Sequence, residues 1–303
     1  MKKLFYLFTI LFAVLFAACD NGQPDGPSGD TNVPENPSNP NEPSNPEDPS
    51  NPDQPSDPSK PDDNVSFVAK PFSVSATKTV IFSHGNLQYH AANNEWRFAP
   101  NQTDYIGEAN ANISEAYNGW IDLFGWGTGD NPTNASEDYE DYQTFVDWGV
   151  NKIGNDAPNT WRTLTDDEWY YLCWIRPNAD KLIGVAQVNG VNGLILLPDA
   201  WTCPSGVTFK SGFHNNFGTE YYAEYQTFSS SEWTKLEASG AVFLPAAGYR
   251  DGSGVISVQY IGYYWSATEN DSYYAIDLCF YSSGAGMRYD FRYYGLSVRL
   301  VQD

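Results

Sequence analysis

The sequence predicts an α+β domain with much irregular loop, placed behind an extended stalk. Three observations predict it. Apolar runs of strand length recur between Val80 and Val301, but each is short and bounded by polar, glycine or proline residues. One helix carries both a start and a stop signal, within residues 162–177. Finally, Pro occupies positions 34, 37, 40, 43, 46, 49, 52, 55, 58 and 61, a step of three in a stretch almost without apolar residues.

The chain opens with Lys2 and Lys3, an apolar run from Leu4 to Phe16, and Ala17-Ala18 before Cys19. That run is shorter than the roughly 20 residues a membrane-spanning helix needs, so residues 1–18 are expected to be a signal peptide. Cys19 after small residues resembles the lipobox of bacterial lipoproteins, with Phe16 where that family usually has Leu. The resemblance implies lipidation of Cys19; without a role for Cys19 the segment would be an ordinary cleaved signal.

Residues 19–63 follow as the stalk. Polyproline II has three residues per turn, so the proline step aligns the rings along one edge of a rod that would reach roughly 85 Å if fully extended. Eleven acids against Lys60 alone in this stretch favour extension by self-repulsion. Composition is equally consistent with a disordered tail.

The remaining residues, 64–303, form the expected globular domain. They hold 27 acids against 13 bases within a chain of net charge −22, which excludes a basic surface for nucleic acid or anionic lipid. Cys173, Cys203 and Cys279 are an odd set without Cys-x-x-Cys spacing, and His84, His90 and His214 are scattered, so no zinc site is expected.

Val80–Phe82 reads as a strand, turning at His84-Gly85-Asn86 and resuming at Leu87, and Trp96 and Phe98 mark a second. In "RTLTDDEWYYLCWIRP", Thr165 and Glu168 form a capping box, Leu164 and Trp169 a hydrophobic staple, and Asp166 and Asp167 suit the positive end of the helix dipole. Pro177 ends it. Trp169, Leu172, Cys173 and Arg176 fall at helical spacing, which makes Cys173 a buried small hydrophobe. "GLILLPDAW" and "GAVFLPAAGYR" are short apolar runs stopped by proline. "GYYWSAT", "YAIDLCFYS" and "GLSVRLV" are the final strand-like runs, with Tyr263, Tyr264 and Trp265 in the core and irregular aromatic segments between runs.

"WRTLTDDEWYYL" resembles the Arg-Leu-Pro-Thr-x-x-Glu-Trp segment of the formylglycine-generating-enzyme superfamily. "LPAAGYRDGSG", "GYYWSATEN" and "GLSVRLV" resemble its C-terminal half, in the version found in exported Bacteroidetes proteins. The similarity covers residues 72–302 and implies a C-type-lectin-like fold. Oxidation chemistry in that superfamily uses a pair of neighbouring cysteines that hold copper. Here only Cys279 lies in the matching region, expected to point outward beside Asp277 and Tyr281. No Gly-x-Ser-x-Gly elbow or Cys/His arrangement supports a hydrolase, so the domain is expected not to be an enzyme. The Glu-Pro-Asn and Trp-Asn-Asp motifs of calcium-dependent lectins are absent, leaving the acidic turn at 268–272 as a weak calcium candidate and a solvated turn by default.

What stands out is "GMRYDFRYYGLSVRL", residues 286–300, with six consecutive positions from Tyr289 to Tyr294 that are aromatic or charged. Eight of the 21 tyrosines lie in residues 263–303. Tyrosine brings a large, stiff, amphipathic surface at low entropic cost, and with Ser, Asn, Asp and Gly it makes up antibody-like binding surfaces. The candidate ligand-binding residues are therefore Asn270, Asp271, Ser272, Tyr273, Asp277, Tyr281, Tyr289, Asp290, Phe291, Arg292, Tyr293 and Tyr294, on loops 269–274, 281–287 and 289–294. The strand Leu296–Val301 is expected to hold them rigid. The competing reading folds these rings back as a satellite core.

The same stretch resembles the variable regions of diversity-generating retroelement proteins. There, adenine-directed mutagenesis of Asn codons reaches Asn, Asp, Ser, Tyr, Phe, Arg, Cys, Gly and Ala; Cys279 fits that set and Glu269 does not. The resemblances imply an outer-membrane lipoprotein on the cell surface, recognising a protein, glycan or phage ligand, with no nucleic acid partner. Asp20, an acid just after the cysteine, is compatible with surface display. A structural adhesin or pilus component that contacts its own kind is the rival class.

Overall fold

Short, mostly antiparallel pairings carry this α+β architecture, and among the described residues no strand exceeds nine residues. The computed structural model describes residues 68–216 and 218–303; the expected signal peptide, Cys19 and the stalk lie outside the described residues. Among the described residues no helix is long and apolar enough to cross a membrane.

The first strands are β1 (Phe72–Ser73), β2 (Thr79–Phe82), β3 (Leu87–His90), β4 (Glu95–Phe98) and β5 (Trp120–Ile121). Helix α1 (Asp166–Tyr170) begins where the capping box places it. The Thr165 side chain accepts from the Glu168 N–H at 3.2 Å, and Glu168 accepts from the Thr165 N–H at 3.0 Å. Leu164 and Trp169 are buried in one core cluster. The helix continues as a π-turn over Tyr171–Ile175, which keeps Leu172 and Cys173 on the buried side before Pro177 stops it.

A four-stranded sheet in the order β8-β6-β7-β9 follows, from β6 (Ile183–Val188), β7 (Val191–Leu196), β8 (Thr227–Phe228) and β9 (Val242–Pro245). It packs with α2 (Glu220–Tyr225) and α3 (Ser230–Ala238). The hairpin β10 (Tyr249–Asp251) and β11 (Gly254–Ile256) leads to the C-terminal sheet β12-β13-β14, built from β12 (Ile261–Glu269), β13 (Tyr274–Tyr281) and β14 (Gly284–Phe291). The last strand, β15 (Val301–Gln302), pairs back with β2.

Three expectations need correction here. Residues 284–291, expected as loop, are strand β14, paired with β13 without a break from Tyr274↔Phe291 to Tyr281↔Gly284. The alternation is present but disguised: Met287, Tyr289 and Phe291 share one face, Arg288 and Asp290 the other, and both sets are bulky. Second, Leu296–Val301 is not a continuous strand. It threads between sheets on single bridges, Leu296 to Phe124 and Ser297 to Tyr264, with the Val298 and Leu300 carbonyls accepting from Leu87 and Ser83. Ser297 and Arg299 are as buried as Leu296. Arg299 is held by Asn86 and Gln102, and burial lowers its guanidinium to about 10.

Third, Cys279 does not point outward. At β13 the C-terminal sheet is covered on both faces, Leu278 and Phe280 lying in one core cluster and Ala275 and Cys279 in another with Tyr263 and Trp265. A central strand between two layers has no solvent side.

Candidate ligand-binding surface

The β13–β14 register decides which rings meet. Tyr274 lies opposite Phe291 and Ile276 opposite Tyr289, so these side chains share a face at the open end of the sheet. Ring contacts then run without a gap across the surface. Tyr139 meets Tyr273 at 4.3 Å, Tyr274 meets Phe291 at 4.7 Å and Tyr289 at 5.4 Å, and Phe291 stacks on Tyr293 at 5.1 Å. Tyr294 closes the row against Phe291 and against Tyr249, at 5.5 and 5.1 Å. Tyr273 and Tyr289 are the outermost, 44% and 51% exposed, and the others are half-buried. Hydrogen bonding with Tyr273 pushes the Tyr139 phenol up to about 12.

The row combines both expectations made of the tyrosines. Its outer rings face solvent, whereas Tyr294 packs on the core cluster that also holds Tyr263 and Trp265.

The turn below the row is built by its own polar groups. Asp271 Oδ1 accepts from the N–H groups of Tyr273 and Tyr274 at 2.9 and 3.0 Å, while Asn270 and Asp271 N–H groups donate to the Tyr274 carbonyl. Asn270, Asp271 and Ser272 are exposed.

Arg292 was expected as a ligand contact, and the structure corrects this: it is 1% exposed. Its guanidinium donates to the carbonyls of Tyr142 and Asp271 and to Glu269 Oε2 at 3.0 Å, and it lies 4.5 Å from the Trp126 ring centroid. A planar fork with five donors fits this job of tying a turn to a neighbouring loop.

Asp277 is also corrected, and Asp290 is half-buried. Asp277 is fully buried, and neither of its oxygens nor Asp290 Oδ2 has a hydrogen-bond donor in the described residues. They lie on one face, diagonal across the β13–β14 pair, with Arg288 directly opposite Asp277. Burial, then the neighbouring Asp290, pushes Asp277 well above the usual carboxylate range, and burial raises Asp290 despite Arg288. Two carboxyls this close hold a proton between them. Tyr281 sits at the opposite end of β13, seven residues from Tyr274 and so roughly 24 Å away, outside the aromatic row.

Sequence reasoning did not single out Tyr139, Tyr249 or Tyr274. Tyr274 was the readable one, since it adjoins Tyr273 at the start of a strand; the other two come from segments over 20 residues away in sequence. Beside Tyr139 lies a cavity of 390 Å³, lined by Trp126, Asp130, Asn131, Asn134, Glu140 and Gln143 among others. Gln143 donates to the Ser272 carbonyl at 2.8 Å, which joins the cavity wall to the turn.

The oxygens of the 268–272 turn are engaged within the protein: Thr268 with Asp166, Glu269 with Arg292, and Asp271 with backbone N–H groups. Among the described residues, no group of three or more His, Cys, Asp or Glu is arranged to hold a metal ion. Cys173, Cys203 and Cys279 are free thiols, and burial raises Cys173 to about 12 and Cys279 further.

A family model described as a domain of unknown function (DUF8237) matches residues 220–301, from α2 to the start of β15. It spans the C-terminal sheet and every ring of the row except Tyr139. Neither the comparison with curated proteins nor that with solved structures found a match.

Proposed function

We propose that the aromatic row on the C-terminal sheet is a recognition surface, carried by a C-type-lectin-like domain on a lipoprotein displayed at the outer membrane. The ligand is a protein, a glycan or a phage surface component. The supporting observation is the continuity of the row: eight rings in contact, seated on a sheet whose other layers are core, with Tyr273 and Tyr289 turned to solvent. Flat rings of low rotamer entropy on a rigid base lose little on binding. Lipidation at Cys19 and diversification of residues 270–294 belong to the same proposal and rest on the sequence resemblances.

The test compares the wild type with the Tyr273→Ala, Tyr289→Ala double variant on a defined glycan array and on purified phage particles. The reading expects lost binding at an unchanged melting temperature, because the two outermost rings contribute little packing. Equal binding by both proteins, or a drop in melting temperature of the size a core truncation causes, would count against it.

A further inference from the structure

Strand β14 is an edge, and the register says which of its groups face outward. The Arg292 N–H donates to the Tyr273 carbonyl at 3.0 Å, which makes Tyr273/Arg292 a hydrogen-bonded pair of the β13–β14 ladder. Bonded pairs of an antiparallel ladder recur at every second residue. Ala275/Asp290, Asp277/Arg288, Cys279/Gly286 and Tyr281/Gly284 are therefore bonded pairs, in the observed register. The N–H and C=O groups of Ala285, Met287, Tyr289 and Phe291 consequently point away from the sheet. Phe291 accepts from Tyr294 at 2.9 Å; among the described residues, the backbone groups of Ala285, Met287 and Tyr289 have no partner.

Natural edges are blunted by proline, lysine, bulges or brevity, and also by other charges, of which β14 has Arg288 and Asp290. This one is otherwise unprotected: eight residues, continuous register, no Pro and no Lys.

We infer that β14 pairs antiparallel with β14 of a second copy of this chain, centred on Met287. The size and charge pattern of the strand fits that register. Ala285 falls opposite Tyr289 of the second copy, Gly286 opposite Arg288, and Gly284 opposite Asp290, so these bulky or charged residues each meet a small one, and the central Met287 meets its own copy. A Cβ added at Gly286 would meet nothing within 4 Å, which leaves room for the incoming guanidinium. A register centred on Arg288 sets arginine directly against arginine, which is unfavourable. One centred on Tyr289 runs into the turn at 292–294. The contact is isologous and closes as a dimer that shares one six-stranded sheet. It uses the backbone edge of β14, with Tyr289 bordering both the edge and the ring surface, and so goes beyond the recognition reading.

Light scattering on the full chain in detergent, over a concentration series, tests it. The wild type is expected to double in mass as concentration rises. Gly286→Arg, which opposes Arg288 of the second copy in a position that is open in the single chain, is expected to remain monomeric with an unchanged melting temperature. Gly286→Glu gains two cross-strand ion pairs and is expected to dimerise at about tenfold lower concentration. If Gly286→Arg does not fold, Ala285→Pro decides, since it removes an N–H that the ladder does not use. A wild type monomeric throughout, a folded Gly286→Arg or Ala285→Pro that associates as the wild type does, or a Gly286→Glu weakened like Gly286→Arg would overturn the inference.

Discussion

Asp277 has no outlet for charge: its carboxyl is buried, its nearest acidic neighbour is Asp290, and only Arg288 opposes the repulsion. An acid raised in the folded state makes the fold less stable as pH climbs past the unfolded value of about 3.9, because the unfolded chain then releases its proton more easily. Asp277→Asn removes that dependence and supplies an amide donor for Asp290 Oδ2. The expected gain is about 1–3 kcal/mol at pH 7–8, fading towards pH 4, measured by denaturant melts at both ends. Arg292 behaves oppositely, since it is buried and fully engaged. Arg292→Lys keeps one charge but loses the fork, and is expected to cost about 2 kcal/mol or more in the same melts and to loosen turn 269–274. Both residues were read from sequence as ligand contacts, because charge and aromatic company look alike whether a side chain reaches out or folds under. Residue type was legible there; direction was not.

At the scale of elements, α1 and β14 mark the two extremes of legibility. The α1 start is local: Thr165, Glu168, Leu164 and Trp169 lie within six residues, and the structure keeps each in its expected role. Thr165→Ala is expected to cost about 1 kcal/mol in thermal unfolding, through one unsatisfied N–H at the helix start. Strand β14 depends instead on β13, which supplies its ladder and covers its inner groups. Its own sequence has Arg288 and Asp290 on the face where a core strand would be apolar, so the period reads as noise. Gly262 shows the same non-local dependence. A Cβ there would meet the Phe280 ring at 2.1 Å, so Gly262→Ala is expected to destabilise by about 1–3 kcal/mol, where a strand-propensity argument alone predicts stabilisation.

For the whole molecule, two sets of acids pull the pH profile in opposite directions. Burial raises Asp122 to about 6, and it raises Glu237, Asp277 and Asp290 as well. These make the fold less stable as pH rises from about 4. Against the desolvation of their sites, Ser73 and Arg176 lower Asp199, Arg162 lowers Glu168, and Arg162 and Lys78 lower Asp303. Those contributions are lost as pH falls below about 4. The melting temperature is therefore expected to peak between pH 4 and 6 and to decline towards pH 8, where the excess of acids adds self-repulsion; a scan of thermal melts with pH checks it. A flat profile from pH 5 to 8 would contradict the assignment of buried protonated acids.

By itself the sequence determined what is set within a few residues or by composition. That includes the α+β class, the α1 cap, the core positions of Tyr263, Tyr264 and Trp265, the acidic balance and the crowding of tyrosine near the C-terminus. Tertiary structure decided which side each of those rings and charges faces, because a strand's two sides are defined only by what packs on them. Layers on both faces of β13 buried Asp277 and Cys279, the Tyr142 loop and the 269–271 turn enclosed Arg292, and Tyr273 and Tyr289 were left outside. The approach of two distant segments completed the row with Tyr139 and Tyr249.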